Sequence, residues 1–106
     1  MKTLFVVRSN PIAGREADFN DWYSQVHLPE VLQIDGFLSA QRFRLNDTQM
    51  VPGQSFGYMA LYEINSQDVA GTLENLKAAT WLNMSDAIDT EKMDVAVFTG
   101  MSDLFP

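Results

Sequence analysis

An α+β architecture follows from three patterns in the sequence. Four short runs are rich in β-branched and aromatic residues, two stretches carry apolar residues at helical spacing, and the runs alternate in the order β-α-β-β-α-β. Together they predict a four-stranded antiparallel sheet with both helices on one face.

Residues 3–8 (TLFVVR) read as the first strand, closed by the turn signal Asn10-Pro11. From Gly14 the period changes. Phe19, Trp22, Tyr23 and Val26 stand at i, i+3, i+4 and i+7, an apolar stripe along a helix. Glu16, Asp18 and Asp21 occupy its early turns, where carboxylates favour the positive end of the helix dipole. Pro29 has no N–H for the Gln25 carbonyl and disfavours helical geometry at Leu28. The helix is therefore expected to break or kink at His27–Leu28, with a second turn running to about Ile34 and ended by Asp35-Gly36. Residues 37–45 (FLSAQRFRL) predict a second strand, 46–55 a polar loop and 56–64 (FGYMALYEI) a third strand. Ser66 or Asn65 is expected to cap a second helix whose stripe is Val69, Thr72, Leu73 and Leu76. Trp81–Ile88 reads as an extra helical turn or lid, and 93–99 (MDVAVFT) as the last strand. This is the split βαβ order of ferredoxin-like folds.

A chain of 106 residues fits one domain spanning 1–106. Seven basic against fourteen acidic residues give a net charge of -7, which repels phosphate backbones and anionic lipid heads and argues against nucleic-acid or membrane partners. There is no cysteine, so disulfides, thiolate nucleophiles and Cys-ligated metal are excluded. The opening MKTLFVVRSN is too short an apolar run for a signal peptide or membrane helix, and a cytoplasmic location is expected.

Three strands are apolar on both faces. The first offers Phe5 and Val7 against Leu4 and Val6, the third Tyr58, Ala60 and Tyr62 against Met59 and Leu61, and the fourth Val95 and Val97 against Ala96 and Phe98. Two helices cover one face only, and a contiguous bare patch of several hundred Å² is rare on monomers. A homodimer packed through its sheet faces is therefore expected, gaining about 25 cal/mol per Å² of apolar surface buried.

The segment Trp22-Tyr23-x-x-x-His27-Leu28-Pro29-x-x-Leu32, continuing into Gly36-Phe37-x-x-Ala40-x-Arg42-Phe43, resembles the dimeric α/β-barrel proteins, closest to their EthD-like and related uncharacterised bacterial branches. The resemblance is specific over residues 22–43 and is one of element order elsewhere. It implies two ferredoxin-like sheets paired into a barrel, with a mostly apolar pocket between sheet and helices in each protomer. The group includes polyketide cyclases, isomerases, cofactorless monooxygenases and haem-binding enzymes, so the fold alone fixes no reaction.

His27 is the only histidine. On a continuous helix it lies one turn beyond Tyr23. Beside a new helical turn opened at Pro29, its imidazole would be held neutral and able to accept a proton. The alternative is that it hydrogen-bonds a carbonyl freed by Pro29 and secures the kink. Tyr23 is the candidate donor to a developing oxyanion. Trp22, Phe43, Tyr58, Tyr62 and Trp81 are the candidate substrate-binding residues, with Met84 at the pocket mouth. Arg42 and Arg44 share one face of the second strand; they could bind a carboxylate, but are read instead as solvated or as interfacial partners of Glu63. No GxSxG, GxGxxG, P-loop or HExxH pattern occurs, and one histidine without cysteine makes a protein-bound zinc improbable.

These residues predict a cofactor-independent cyclase, isomerase or lyase that abstracts a proton α to the carbonyl of a small hydrophobic or aromatic compound, with His27 as base. The alternatives are a cofactorless or haem-dependent monooxygenase, with His27 as axial ligand in the haem case, and a dimer that binds a small molecule without chemistry.

Overall fold

The computed structural model describes residues 1–106. Its elements in chain order are β1 (Thr3–Ser9), α1 (Glu16–Trp22), a π-helical turn (Tyr23–His27), α2 (Leu28–Val31), β2 (Phe37–Arg44), β3 (Tyr58–Ile64), α3 (Val69–Ala78) and β4 (Asp94–Thr99). The strands form one antiparallel sheet in the order β2-β3-β1-β4. This is the predicted ferredoxin-like order, and the strand limits differ from expectation by only one or two residues. The third strand starts late because Gly57 is held in the preceding loop, its N–H donating to Asn10 Oδ1 at 2.8 Å.

Side chains alternate along β1 with the two-residue period of a pleated strand. Thr3, Phe5, Val7 and Ser9 are buried under the helices, while Leu4, Val6 and Arg8 face the other side. Across the ladder Phe5 meets Tyr62 and Val7 meets Ala60. With Phe19, Tyr23 and Val31 from the helical segment, these residues form one core. Phe5, Phe37 and Tyr62 pack edge-on or tilted at 5.6–5.8 Å between ring centroids, a favoured aromatic geometry.

Two local expectations are corrected. The cap of α3 is Asp68, not Ser66 or Asn65: its carboxylate accepts from the Gly71 N–H at 2.9 Å, while Asn65 closes the turn before it by accepting from Gln67 N–H. Trp81–Ile88 forms no helical turn. It runs as an irregular strap tied to the β1–α1 connection, where Ile12 N–H donates to the Ala87 carbonyl at 2.7 Å, Asp89 N–H to the Asn10 carbonyl at 3.0 Å, and Arg15 pairs with Asp86 at 3.0 Å.

Gly36 ends the helical segment at φ 99°, and a Cβ there would fall onto the Thr72 side chain. Its bare Cα lets α3 pass directly over the turn, where Asn75 donates to the Asp35 carbonyl at 3.0 Å.

A bulge between Phe37 and Ser39 resets β2, so that Ala40, Arg42 and Arg44 share the helix side with Tyr62, Ala60 and Tyr58. Glu63 therefore lies on the opposite face from both arginines, which corrects the expected pairing. That opposite face carries Leu4, Val6, Met59, Leu61, Ala96 and Phe98, with Phe43 toward one end and the Arg8–Asp94 ion pair at the rim. No helix is long and apolar enough to cross a membrane.

Candidate functional site

The helix through His27 does not break at Pro29. Backbone dihedrals stay helical across the junction, at φ -68°, ψ -52° for His27 and φ -59°, ψ -47° for Leu28. What changes is the bonding: the Leu28 N–H donates to the Tyr23 carbonyl, five residues back. The wider turn gives the proline ring room that an α-turn denies it beside the Gln25 carbonyl. Ser24 and Gln25 are exposed, so water can take carbonyls the proline leaves free.

The same turn sets the side chains. Five residues along an α-helix overshoot one turn by about 140°, from 3.6 residues per turn, and would point Trp22 and His27 apart. In the π-turn they stack, with ring centroids 4.5 Å apart and planes 26° from parallel. Tyr23 meets the same imidazole edge-on at 5.2 Å and 86°. The cause given in advance for a neutral His27, the positive end of a new helix, is therefore corrected. α2 continues the helical path through His27 without a break, so no free helix N-terminus faces the ring. Burial is what lowers its pKa, to about 4, with Glu30 acting weakly in the opposite sense. Nor does His27 secure the kink through a carbonyl: its Nδ1 is buried and has no hydrogen-bond partner.

His27 lines a cavity of about 300 Å³ between the helical segment and the sheet. Phe5 and Val7 of β1 and Tyr62 of β3 form its floor, Trp22, Tyr23, His27 and Val31 one wall, and Leu76 and Ile88 the other side. Met84, Met93 and Val95 line it too and are 61%, 38% and 51% exposed, which marks its mouth beside β4. The polar groups on this apolar lining are few: the imidazole, the hydroxyls of Tyr23 and Tyr62, and Thr90. Both phenols are pushed above their ordinary pKa, chiefly by burial, and are therefore protonated hydrogen-bond donors at neutral pH. Ser9 and Tyr62 are the polar neighbours of the Tyr23 hydroxyl.

The cavity thus gathers Trp22, Tyr23, His27, Tyr62 and Met84. Three of the predicted substrate-binding residues lie elsewhere. Phe43 sits on the opposite sheet face because the bulge in β2 fixes its side. Tyr58 is on the helix side but at the strand end, where its hydroxyl donates to Glu16 at 3.1 Å. Trp81 is half exposed over a shallow depression lined by Ile34 and Asn75.

Two residues that sequence reasoning passed over shape the site. The Glu30 carboxylate accepts from Asn83 N–H at 2.8 Å and from Asn83 Nδ2 at 2.6 Å, and the Trp22 indole N–H donates to the Asn83 carbonyl at 2.7 Å. This latch holds the strap, and with it Met84, against the wall that carries His27. An acid three residues after a histidine on one helix is the only trace it left in the sequence.

No family profile and no curated protein matches this sequence. Solved structures do match. One is an ethyl tert-butyl ether D (EthD) family protein from Bacillus halodurans C-125, with a TM-score of 0.67 and 17% identity over 95% of this chain and 100% of that one. Another is described as a "putative monooxygenase" from Shewanella loihica PV-4, with a TM-score of 0.56 and 12% identity over 96% and 98% of the two chains. Both are of the dimeric α/β-barrel fold. Over 95% of its length the chain shares the ferredoxin-like α+β fold of these structures, a four-stranded antiparallel sheet with helices on one face.

Proposed function

We propose that the chain is a homodimeric, cofactor-independent enzyme that abstracts a proton from a small aromatic or polyketide-like carbonyl compound, with His27 as the base. The observation that carries this reading is a neutral imidazole, without a hydrogen-bond partner in the protein, on the wall of an apolar cavity whose lining also includes Tyr23 and Tyr62. A volume of about 300 Å³ suits a ligand of one or two rings. Tyr23 and Tyr62, both protonated, are placed to donate to the oxygen on which charge develops.

An imidazole held at about 4 is wholly in its free-base form at neutral pH but gives a weak driving force. That balance suits carbon acids activated twice over, such as a carbon between two carbonyls or one whose enol is a phenol. The reaction would be completed as a cyclisation, isomerisation or elimination. Aryl 1,3-diketones incubated in deuterium oxide should exchange the proton between the carbonyls, followed by NMR. His27→Gln should slow that exchange by about 10²–10⁴-fold with the fold intact; an unchanged rate would remove His27 from the chemistry.

The likeness to a protein described as a monooxygenase favours one second reading: that the carbanion formed at the same site is captured by dioxygen. Oxygen uptake matched to turnover would decide for it. A haem does not fit the residues present, since the cavity is small for a porphyrin and the imidazole lies against Trp22. A purely binding role would show as a ligand-induced rise in Tm with neither exchange nor product.

A further inference from the structure

Arg42 is a cation without a counter-ion in a chain that has twice as many acidic as basic residues. Its guanidinium donates to Asn20 Oδ1 at 2.7 Å, to Ser24 Oγ at 2.8 Å and to the Asn20 carbonyl at 3.4 Å, all of them neutral acceptors. The ion pairs of the fold use Arg8, Arg15 and Lys77 instead. Arg42 is also packed among aromatic rings, 4.7 Å from the centroid of Tyr23, 5.5 Å from Phe19 and 5.7 Å from Tyr58. Partial burial lowers its pKa, as expected of a charge drawn from water with no carboxylate in direct contact; Glu16 lines the same surface pocket but is engaged by the Tyr58 hydroxyl.

The ring closest to this charge belongs to the tyrosine that lines the cavity. The field of Arg42 favours negative charge at the hydroxyls of both Tyr23 and Tyr62. The Tyr23 ring stands between Arg42 and the cavity, while the other side of the guanidinium lines an open surface pocket with Glu16, so the field reaches the cavity partly screened. We propose that Arg42 is a positioning residue that selects anionic ligands: its counter-charge is a phenolate or enolate oxygen of the ligand, which accepts from the Tyr23 and Tyr62 hydroxyls. The substrate class is then phenols and enols that ionise near neutrality, in preference to neutral hydrocarbons or amines. This inference rests on the cavity reading above and adds to it the source of the oxyanion's stabilisation.

The test uses p-nitrophenol, a single-ring probe whose phenol and phenolate forms differ in absorbance. Bound to the wild-type protein it should ionise at a lower pH than in buffer, and Arg42→Met should shift that ionisation back by about tenfold or more in proton concentration. Arg42→Gln, which keeps an amide for Asn20 and Ser24, should behave like the Met variant, and Arg42→Lys should retain most of the effect. Over this range His27, held at about 4, does not change charge. Tyr23 and Tyr62 keep their protons, and Glu16, which shares the surface pocket with Arg42, and Glu30 are common to every variant. A residue that merely ties β2 to α1 would alter stability in these variants and leave the probe's ionisation where it was. Equal ionisation in wild type and both charge-free variants overturns the role of Arg42 and leaves the cavity reading standing. Failure of the wild type to bind the probe at all overturns both.

Discussion

A buried ring nitrogen without a hydrogen-bond partner is destabilising by about 1–3 kcal/mol, and His27 Nδ1 is such an atom. Its neighbours are aromatic: Trp22 stacks on the ring and Tyr23 meets its edge. Nothing in the fold requires an imidazole there. His27→Phe, with the adjoining cavity to receive the larger ring, should raise stability at pH 7 by about 1 kcal/mol in urea denaturation. The pH dependence follows from the sign of the shift. The folded pKa of about 4 lies below the ordinary 6.5, so the unfolded chain binds the extra proton and stability falls as pH drops from about 6.5 to about 4. Since water still reaches part of the ring, the loss should be at most about 3 kcal/mol. It is read as the difference between wild type and His27→Phe, because carboxylates titrate in the same range. A constant difference across that window would show that the imidazole is not held neutral by burial.

At the scale of elements, the site depends on a turn and a strap. The π-helical turn brings Trp22, Tyr23 and His27 to one wall, which a continuous α-helix would not do. The strap is tied to that wall by hydrogen bonds through Asn83, held by Glu30 and by the Trp22 indole. Hydrogen bonds to a charged group contribute about 1.5–3 kcal/mol. Glu30→Ala should therefore free the strap locally, with the Asn83 amide and Trp22 indole protons exchanging with solvent at least tenfold faster, while protons of β1 and β3 keep their protection. Uniformly faster exchange would mean that Glu30 supports the whole fold instead of the latch. The apolar stripe and the effect of Pro29 were legible in the sequence. The bonding register was not, because a proline announces a disturbed helix without saying whether the chain breaks or widens.

For the whole molecule, the unresolved demand is the second face of the sheet. Leu4, Val6, Met59, Leu61 and Ala96 are only partly covered and Phe98 is 60% exposed, although β1 and β3 are the central strands. A second copy laid against this face would bury several hundred Å² of apolar surface, contributing several kcal/mol at about 25 cal/mol per Å². Light scattering at micromolar concentration should give twice the 11.9 kDa chain mass. Leu61→Glu should return it to the mass of one chain, since two buried carboxylates would face the interface. A wild-type mass of one chain would rule out the sheet-to-sheet dimer.

The sequence by itself determined the order of the elements, the two alternating side-chain sets of β1 and β3, and the segment on which the only histidine sits. These rest on periodicity and turn chemistry, which are local. The fold decided which of the two sets the helices cover. Tertiary structure alone decided which side chains share the cavity. One extra residue in the β2 bulge turned Phe43 out and Arg42 in, and one wide helical turn set His27 on Trp22. The strap brought Asn83 to Glu30 across 53 positions of chain. Each of these is a choice of register or a long-range contact, and neither has a signature in the spacing of neighbouring residues.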